Sequence, residues 1–419
     1  MKLFTTNPPV VNLPLAPSKS AGLLKFIIFL TTFSGAISFI IPGIYSVPQP
    51  NIINNKLGFL YVQYNPDSPI FFYSALRFPS FYKQAPDRIS RPLFSLLLKP
   101  LAASVAQGAK ALLPRSGIAR LSWDNVPAIE HIVIYYGWIF LNLIFFGLFL
   151  YFTAQLLLGY LHADDVKLLL LILSASAPAA LALSWLHTVV VGWLVVAASL
   201  VAYQRFLHHR SWIPVAALIG ILLLGKAHIT IILLGALCFF DWRRIGEWLL
   251  LAVILAVPTV AWRLWCKVDP LVWDLHWIVQ DVRVLDFSRW INGLPKFFYE
   301  NAIGLVILLG PIGLFFVVRG LWRFPWKLLP TRLLCIAVAV ELIALFALSR
   351  TGSMYMFGLF FVLLPLLLSG ARDGASAVFS QNQPAITPRT RIVIAVSQIA
   401  WLPIAVYAQL LLWRNGYWF

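Results

Sequence analysis

The sequence predicts an all-α polytopic membrane protein with about 11 transmembrane helices. Of its 419 residues, 61% are hydrophobic and only 11% are charged, whereas a soluble globular chain carries about 25% charged residues. The mean hydropathy of +0.85 agrees with this composition. We therefore expect residues 1–419 to form a single transmembrane domain.

The charge balance indicates contact with phosphate-bearing lipids. The chain has 32 Lys and Arg residues against 15 Asp and Glu, a net charge of +17. In a soluble protein this excess would suggest nucleic acid. In a chain that consists mostly of apolar runs, the same excess indicates basic residues that orient the helices and contact lipid headgroups. We therefore expect membrane lipids and no nucleic acid as partners.

The cysteines indicate neither a disulfide framework nor a zinc site. There are 3 of them, and no pair has C-x-x-C spacing. We predict no protein metal site, and the sequence leaves the need for a divalent metal cofactor open.

Apolar runs of about 20 residues are long enough to cross a bilayer as helices. The first lacks a following A-x-A cleavage site, so we expect it to stay as a transmembrane helix. The runs cover residues 26–45, 131–157, 168–185, 189–206, 246–262, 297–318, 333–348, 354–370 and 392–413.

The stretch 211–240 has two interpretations: one long helix, or two short helices joined at Gly225-Lys226-Ala227-His228. A single helix would place the following basic residues outside, against the positive-inside rule, so we favour the hairpin. That gives 11 spans, with the amino terminus in the cytoplasm and the carboxyl terminus outside. We expect a multi-pass location in the cell envelope, in a bacterial inner membrane.

Two long loops fall outside in this topology, over residues 46–130 and 263–296. Long ordered loops are usually functional. Helical spacing of apolar residues in the first loop predicts amphipathic helices on the membrane surface, near 70–76 and 93–98. Residues 371–390 read as a flexible cytoplasmic connector, and His162-Ala163-Asp164-Asp165 as a solvated cytoplasmic turn that begins a helix.

The first outer loop contains the strongest candidate for chemistry. Asp67 precedes a predicted helix that includes Tyr73. The helix dipole favours an ionised carboxylate there, which could act as a general base toward an attacking hydroxyl. The alternative is that Asp67 only caps the helix, with Ser68 and Pro69 as start signals.

The order of motifs in this loop is distinctive. The loop directly follows the first helix and carries Asp67, then Tyr73-Ser74-Ala75, then Arg88 and Arg91-Pro92-Leu93-Phe94. The later stretch from Gly220 to Lys226 looks like a short-helix hairpin ended by a basic residue. Together these features resemble the C-superfamily of integral-membrane glycosyltransferases, over roughly residues 1–230.

The resemblance implies an enzyme. Such a protein moves a hexosyl or pentosyl group from a polyprenyl-phosphate donor to a hydroxyl of a lipid or glycan acceptor at the outer membrane face. It also implies that an acid of the first outer loop is the base, here Asp67. Many members show paired acids where this chain has one Asp, which points to Asp87 as a further contributing acid.

If the donor is a lipid phosphate, basic residues near the outer face acquire a role, because Arg binds phosphate through its planar fork. Arg350 could instead extend to the headgroups, and a lone outer-turn histidine such as His187 is often interfacial. The candidate substrate-binding residues are Tyr73, Arg77, Arg88, Arg91, His187, Lys226, His228, Arg263 and Arg350.

Two other functions remain open: a transporter or flippase for lipid-linked saccharides, and a polymerase of surface saccharides. A transporter is expected to have ionisable residues inside its spans and matched broken helices. Glu341 is the main mid-span acid, and no matching halves are evident. The sequence therefore favours the transferase.

Overall fold

The computed structural model describes residues 17–44, 53–57, 60–64, 73–80, 92–112, 128–184, 188–207, 211–225, 242–266, 287–323, 360–372 and 383–414. These are helical apart from short turns and one antiparallel hairpin, β1 (Ile53–Leu57) and β2 (Leu60–Tyr64). The helices are α1 (Pro17–Ile44), α2 (Leu93–Leu112), α3 (Ala128–Leu158), α4 (Ala163–Ser174), α5 (Ala177–Ser184), α6 (Val189–Leu207), α7 (Ile213–Leu222), α8 (Ile245–Trp265), α9 (Phe287–Arg323), α10 (Phe360–Ala371) and α11 (Pro388–Arg414).

Among the described residues, 6 helices are long and apolar enough to cross a membrane, and 7 spans result if α4 and α5 form one bent span. The expected helical, multi-span architecture is confirmed to this extent. The number 11 is not, because the expected spans near 229–240 and 333–348 lie outside the described residues. The 6 spans that are long and apolar enough lie in α1, α3, α6, α8, α9 and α11.

The bundle has two ends, which we name after two residues. Helix α3 begins beside Glu130 and ends at Leu158, and α4 starts the return beside Asp165. We call these the Glu130 end and the Asp165 end. Helix α3 packs against α2 and α6, α1 packs against α5, and α9 packs against α10 and α11.

Helix α2 lies in the region expected to form an amphipathic helix. Phe94 and Leu98 are buried, and the Phe94 ring stacks on Trp138 of α3 with centroids 4.1 Å apart. The opposite face, with Leu97 and Leu101, is exposed although it is also apolar. One face of α2 is therefore held by the bundle and the other is left for an apolar environment.

Helices α4 and α5 meet at a 56° bend. The sequence predicted one continuous span over 168–185. The bend frees carbonyls that other helices satisfy: Ser34 Oγ donates to Ser174 O at 3.0 Å, and Gln398 Nε2 donates to Ala175 O at 3.1 Å. The same amide donates to Leu308 O at 2.9 Å, so it ties α11 to two helices at once.

Helix α9 is broken at Gly310, which has a φ of +65°. A side chain is disfavoured at that φ, and Pro311 lacks the N–H that would continue the hydrogen-bond ladder. Trp401 packs against Gly310 and donates through Nε1 to Ile307 O at 3.1 Å. The break is thereby filled by α11.

Candidate functional site

Tyr73, Arg77 and Arg263 are the candidate site residues within the described part of the chain. They lie on two elements: the segment 73–80, which we call the first-loop segment, and the last turn of α8. The other candidates fall outside the described residues: Asp67, Asp87, Arg88, Arg91, His187, Lys226, His228 and Arg350.

The first-loop segment begins with a helical turn that positions Arg77. The Arg77 N–H donates to Tyr73 O at 2.9 Å, and the guanidinium carbon lies 5.5 Å from the centroid of the Tyr73 ring. This distance is that of a cation–π contact. Arg77 is exposed, so the turn and the ring present a positive charge at the surface.

Contacts with α2 and α3 hold this segment in place. Ser74 and Ser95 share a buried hydrogen bond of 3.1 Å. Lys99 Nζ donates to Leu76 O at 2.9 Å and to Glu130 Oε2 at 3.0 Å. The charge-assisted bonds of Lys99 join the segment to the first turn of α3.

Phe78 then joins the segment to α8. Its ring stacks on Trp262 and Trp265, with centroids 6.0 and 6.1 Å away, and those two rings are 5.0 Å apart. Arg263 lies between the two tryptophans in the chain and is only 5% exposed. The fold therefore brings the element with Arg77 against the helical turn with Arg263.

The turn after α7 reaches the same place. Leu93 N–H donates to Leu224 O at 3.2 Å, and Leu224 packs against the cluster formed by Trp262 and Cys266. A Cβ on Gly225 would lie 2.9 Å from Leu93 and 3.0 Å from Val191, which explains the glycine. The predicted end of the first hairpin arm is therefore at the Glu130 end, directly before Lys226.

The Asp165 end has a separate cluster of charges that is internally paired. Asp165 is 1% exposed, so the expected solvated turn is wrong at this residue, although the acids do begin α4. Its Oδ2 accepts from Ala385 N–H at 2.7 Å, and its Oδ1 lies 3.7 Å from Arg391 Nη2. Ala385 and Ile386, in the segment expected to be a flexible connector, are likewise buried.

Tyr160, in the turn between α3 and α4, belongs to the same end. Burial raises the pKa of its hydroxyl, although a hydrogen bond with Gln204 opposes the shift. The hydroxyl therefore stays protonated and available as a donor. The charged and polar groups here connect helices to one another, which is a structural role.

The structure also shows two buried polar residues that the sequence reasoning missed. Glu300 and Asn301 of α9 are 3% and 6% exposed. Their signal in the sequence was an acid beside an amide inside the predicted span 297–318. Glu341, the acid that the sequence singles out inside a span, lies outside the described residues.

Within the described ranges, no group of three or more His, Cys, Asp or Glu side chains could hold a metal ion. An almost entirely apolar cleft lies toward the Asp165 end, between Tyr203, Trp212 and Leu251. The described candidates, Tyr73, Arg77 and Arg263, lie at the Glu130 end. No protein family, curated protein or solved structure matches this chain.

Proposed function

We propose that the chain is a membrane glycosyltransferase that moves a sugar from a polyprenyl-phosphate donor to a hydroxyl of a lipid or glycan acceptor. The observation that carries the proposal is the packing of Phe78 on Trp262 and Trp265. It brings the elements of Arg77 and Arg263 together beside the turn that precedes Lys226. Two arginines on neighbouring elements at one end of an apolar bundle suit a substrate with a lipid tail and a phosphate head.

The proposed chemistry needs a general base and a group that stabilises the negative charge on the leaving phosphate. Asp67 takes the proton of the acceptor hydroxyl while its oxygen attacks the anomeric carbon of the sugar. The bond between that carbon and the phosphate oxygen breaks, and its electrons leave with the polyprenyl phosphate. Arg77 and Arg263 stabilise the growing phosphate charge through their guanidinium groups.

Transport of a lipid-linked saccharide is the second candidate, and the bend between α4 and α5 is the observation that favours it. Broken helices in transporters leave free backbone carbonyls for ions. Here Ser34 and Gln398 occupy the carbonyls of Ser174 and Ala175. Those two atoms are therefore already satisfied, and the transferase is the better supported proposal.

The test is an assay of donor consumption by the purified full-length chain in lipid nanodiscs. A panel of polyprenyl-phosphate hexoses and pentoses is supplied with an extract of bacterial membrane glycolipids as acceptors, and released polyprenyl phosphate and product are followed by mass spectrometry. We expect turnover with at least one donor. Failure with every donor, in protein that is folded, would overturn the proposal.

Three variants sharpen this assay. Asp67→Asn is expected to lose about 100-fold or more in rate, since general-base catalysis contributes about 10²–10⁴-fold. Arg77→Gln is expected to weaken donor binding. Arg319→Gln is the matched control because Arg319 is exposed in the second half of α9, far along the helix from Glu300. A wild-type rate in Asp67→Asn would remove Asp67 as the base.

A further inference from the structure

Glu300 and Asn301 form a pair of buried polar side chains without the partners that burial demands. Glu300 Oε2 and both polar atoms of the Asn301 amide are buried and make no hydrogen bond to any part of the chain that the structure describes. A buried polar group is normally hydrogen-bonded, since leaving it unpaired is costly. Three such atoms on adjacent residues of one apolar helix indicate a place where a ligand completes the bonding.

The contacts between α9 and α11 show where Glu300 and Asn301 lie along the bundle. Trp401 bonds to Ile307 O while Gln398 bonds to Leu308 O, so α9 and α11 run antiparallel. Helix α11 begins at the Asp165 end, where Arg391 pairs with Asp164 and Asp165. Glu300 precedes Leu308 by about two helical turns, roughly 12 Å toward the Glu130 end. It therefore lies in the half of the bundle that holds the proposed transferase site.

The local charge decides which ligand fits. Lys296 Nζ lies 3.6 Å from Glu300 Oε1 and is 73% exposed. This ammonium already balances the carboxylate, so a second cation would meet repulsion. Glu300 Oε2 still accepts hydrogen bonds, and the Asn301 amide both donates and accepts. Hydroxyl groups, which also donate and accept, match this set.

We propose that Glu300 and Asn301 bind adjacent hydroxyl groups of a sugar. The inference rests on the proposed function and extends it: one ring hydroxyl donates to Glu300 Oε2, and the neighbouring hydroxyl pairs with the Asn301 amide. The sugar belongs either to the donor lipid or to a glycan acceptor, which present the same hydroxyl chemistry.

The experiment measures binding rather than turnover. Full-length protein in nanodiscs is titrated with a panel of methyl hexosides and pentosides, and separately with polyprenyl-phosphate hexoses and pentoses. Asn301→Leu keeps the number and branching of the side-chain heavy atoms and removes both polar amide atoms; Glu300→Gln removes the charge. Exposed Arg319→Gln, in the second half of the same helix, is the control. We expect each pair variant to weaken binding of the preferred sugar about tenfold, the effect of one or two lost hydrogen bonds.

Stability supplies a second, opposite readout. If Asn301 has no partner in the protein, Asn301→Leu keeps or raises the Tm while it loses sugar affinity. A sharp fall in Tm would show that Asn301 has a structural partner and would overturn the inference. So would wild-type affinity in Asn301→Leu, or the failure of every sugar in both panels to bind.

The two panels separate the sources of the sugar and the two proposals. If the pair variants lose affinity only for methyl glycosides, Glu300 and Asn301 bind the sugar of the acceptor. If they lose affinity only for the lipid-linked sugars, the two residues bind the sugar of the donor. If sugars bind through the pair but no transfer occurs, the inference stands and the transferase proposal falls. If transfer occurs with wild-type KM in both pair variants, the transferase stands and the inference falls.

Discussion

Asp165 accepts a hydrogen bond of 2.7 Å from the backbone N–H of Ala385, which lies 220 residues further along the chain. The carboxylate begins α4, and Ala385 lies just before α11. Arg391 adds a charge 3.7 Å from the second carboxylate oxygen. This contact fixes the start of α11 against α4, and it places the last helix of the bundle in register with the bend at Ala175.

Asp165→Leu is expected to destabilise the protein by ~3 kcal/mol, because it leaves the buried Ala385 N–H without its acceptor and removes one of the two carboxylates that pair with Arg391. Asp165→Asn keeps an acceptor for Ala385 and should cost less. The measurement is thermal unfolding of the full-length chain in detergent. Asp164→Asn is the control, since Asp164 is 43% exposed and its pairs are expected to contribute less than about 1 kcal/mol. Equal stability of Asp165→Leu and wild type would contradict the assigned role.

Gln398→Leu tests the bend between α4 and α5. The substitution removes the donor that satisfies both Ala175 O and Leu308 O. Leaving buried carbonyls unpaired costs about 1–3 kcal/mol. We therefore expect the Tm of Gln398→Leu, measured by thermal unfolding, to be lower than that of the wild type. Ser397→Ala is the matched control, because Ser397 bonds only to Ile394 O within its own helix. A Tm for Gln398→Leu no lower than that of the control would show that the bend holds without the amide.

The continuous apolar helices could be predicted from the sequence, and the places where they break could not. Helices α3, α6 and α8 match the predicted runs within a few residues, since a long apolar run has few alternatives in a membrane. The bend at Ala175 depends on Gln398, and the burial of Asp165 depends on Ala385. Both partners are more than 200 positions away, so no local pattern could reveal them.

The candidate site shows the same division. The turn at Gly225 was predictable, because a glycine and a lysine end an apolar run. The attachment of the first-loop segment to α8 was not, because it depends on the stacking of Phe78 against Trp262 and Trp265. Aromatic residues near a membrane boundary are expected for interfacial reasons alone. Only the fold shows which of them meet.

Gly370→Ala tests the contact between α9 and α10. A Cβ on Gly370 would overlap the backbone carbonyl oxygen of Phe316, and the neighbouring Gly320 is equally close to Leu366 O. Small residues let membrane helices approach to this extent. Because the obstacle is backbone, we expect a loss of at least ~2 kcal/mol, or a chain that fails to fold. Gly246→Ala in α8 is the control: nothing lies within 4 Å of its added Cβ. It should be neutral or stabilising by up to about 1 kcal/mol.

Lys99→Met tests whether the tether of the first-loop segment serves the proposed activity. The substitution keeps the apolar stem but removes the bonds to Leu76 O and Glu130. A loss of ~1 kcal/mol at this contact corresponds to about a fivefold rise in KM for the lipid donor, with faster trypsin cleavage at Arg77. Glu130→Gln keeps an acceptor for Lys99 and should have a milder effect. Lys167→Met, which removes an exposed pair at the Asp165 end, should change neither quantity. If Lys99→Met is cleaved at the wild-type rate and its donor KM is unchanged, the tether does not hold Arg77 in place, and the Ser74–Ser95 hydrogen bond and the stacking of Phe78 must do so.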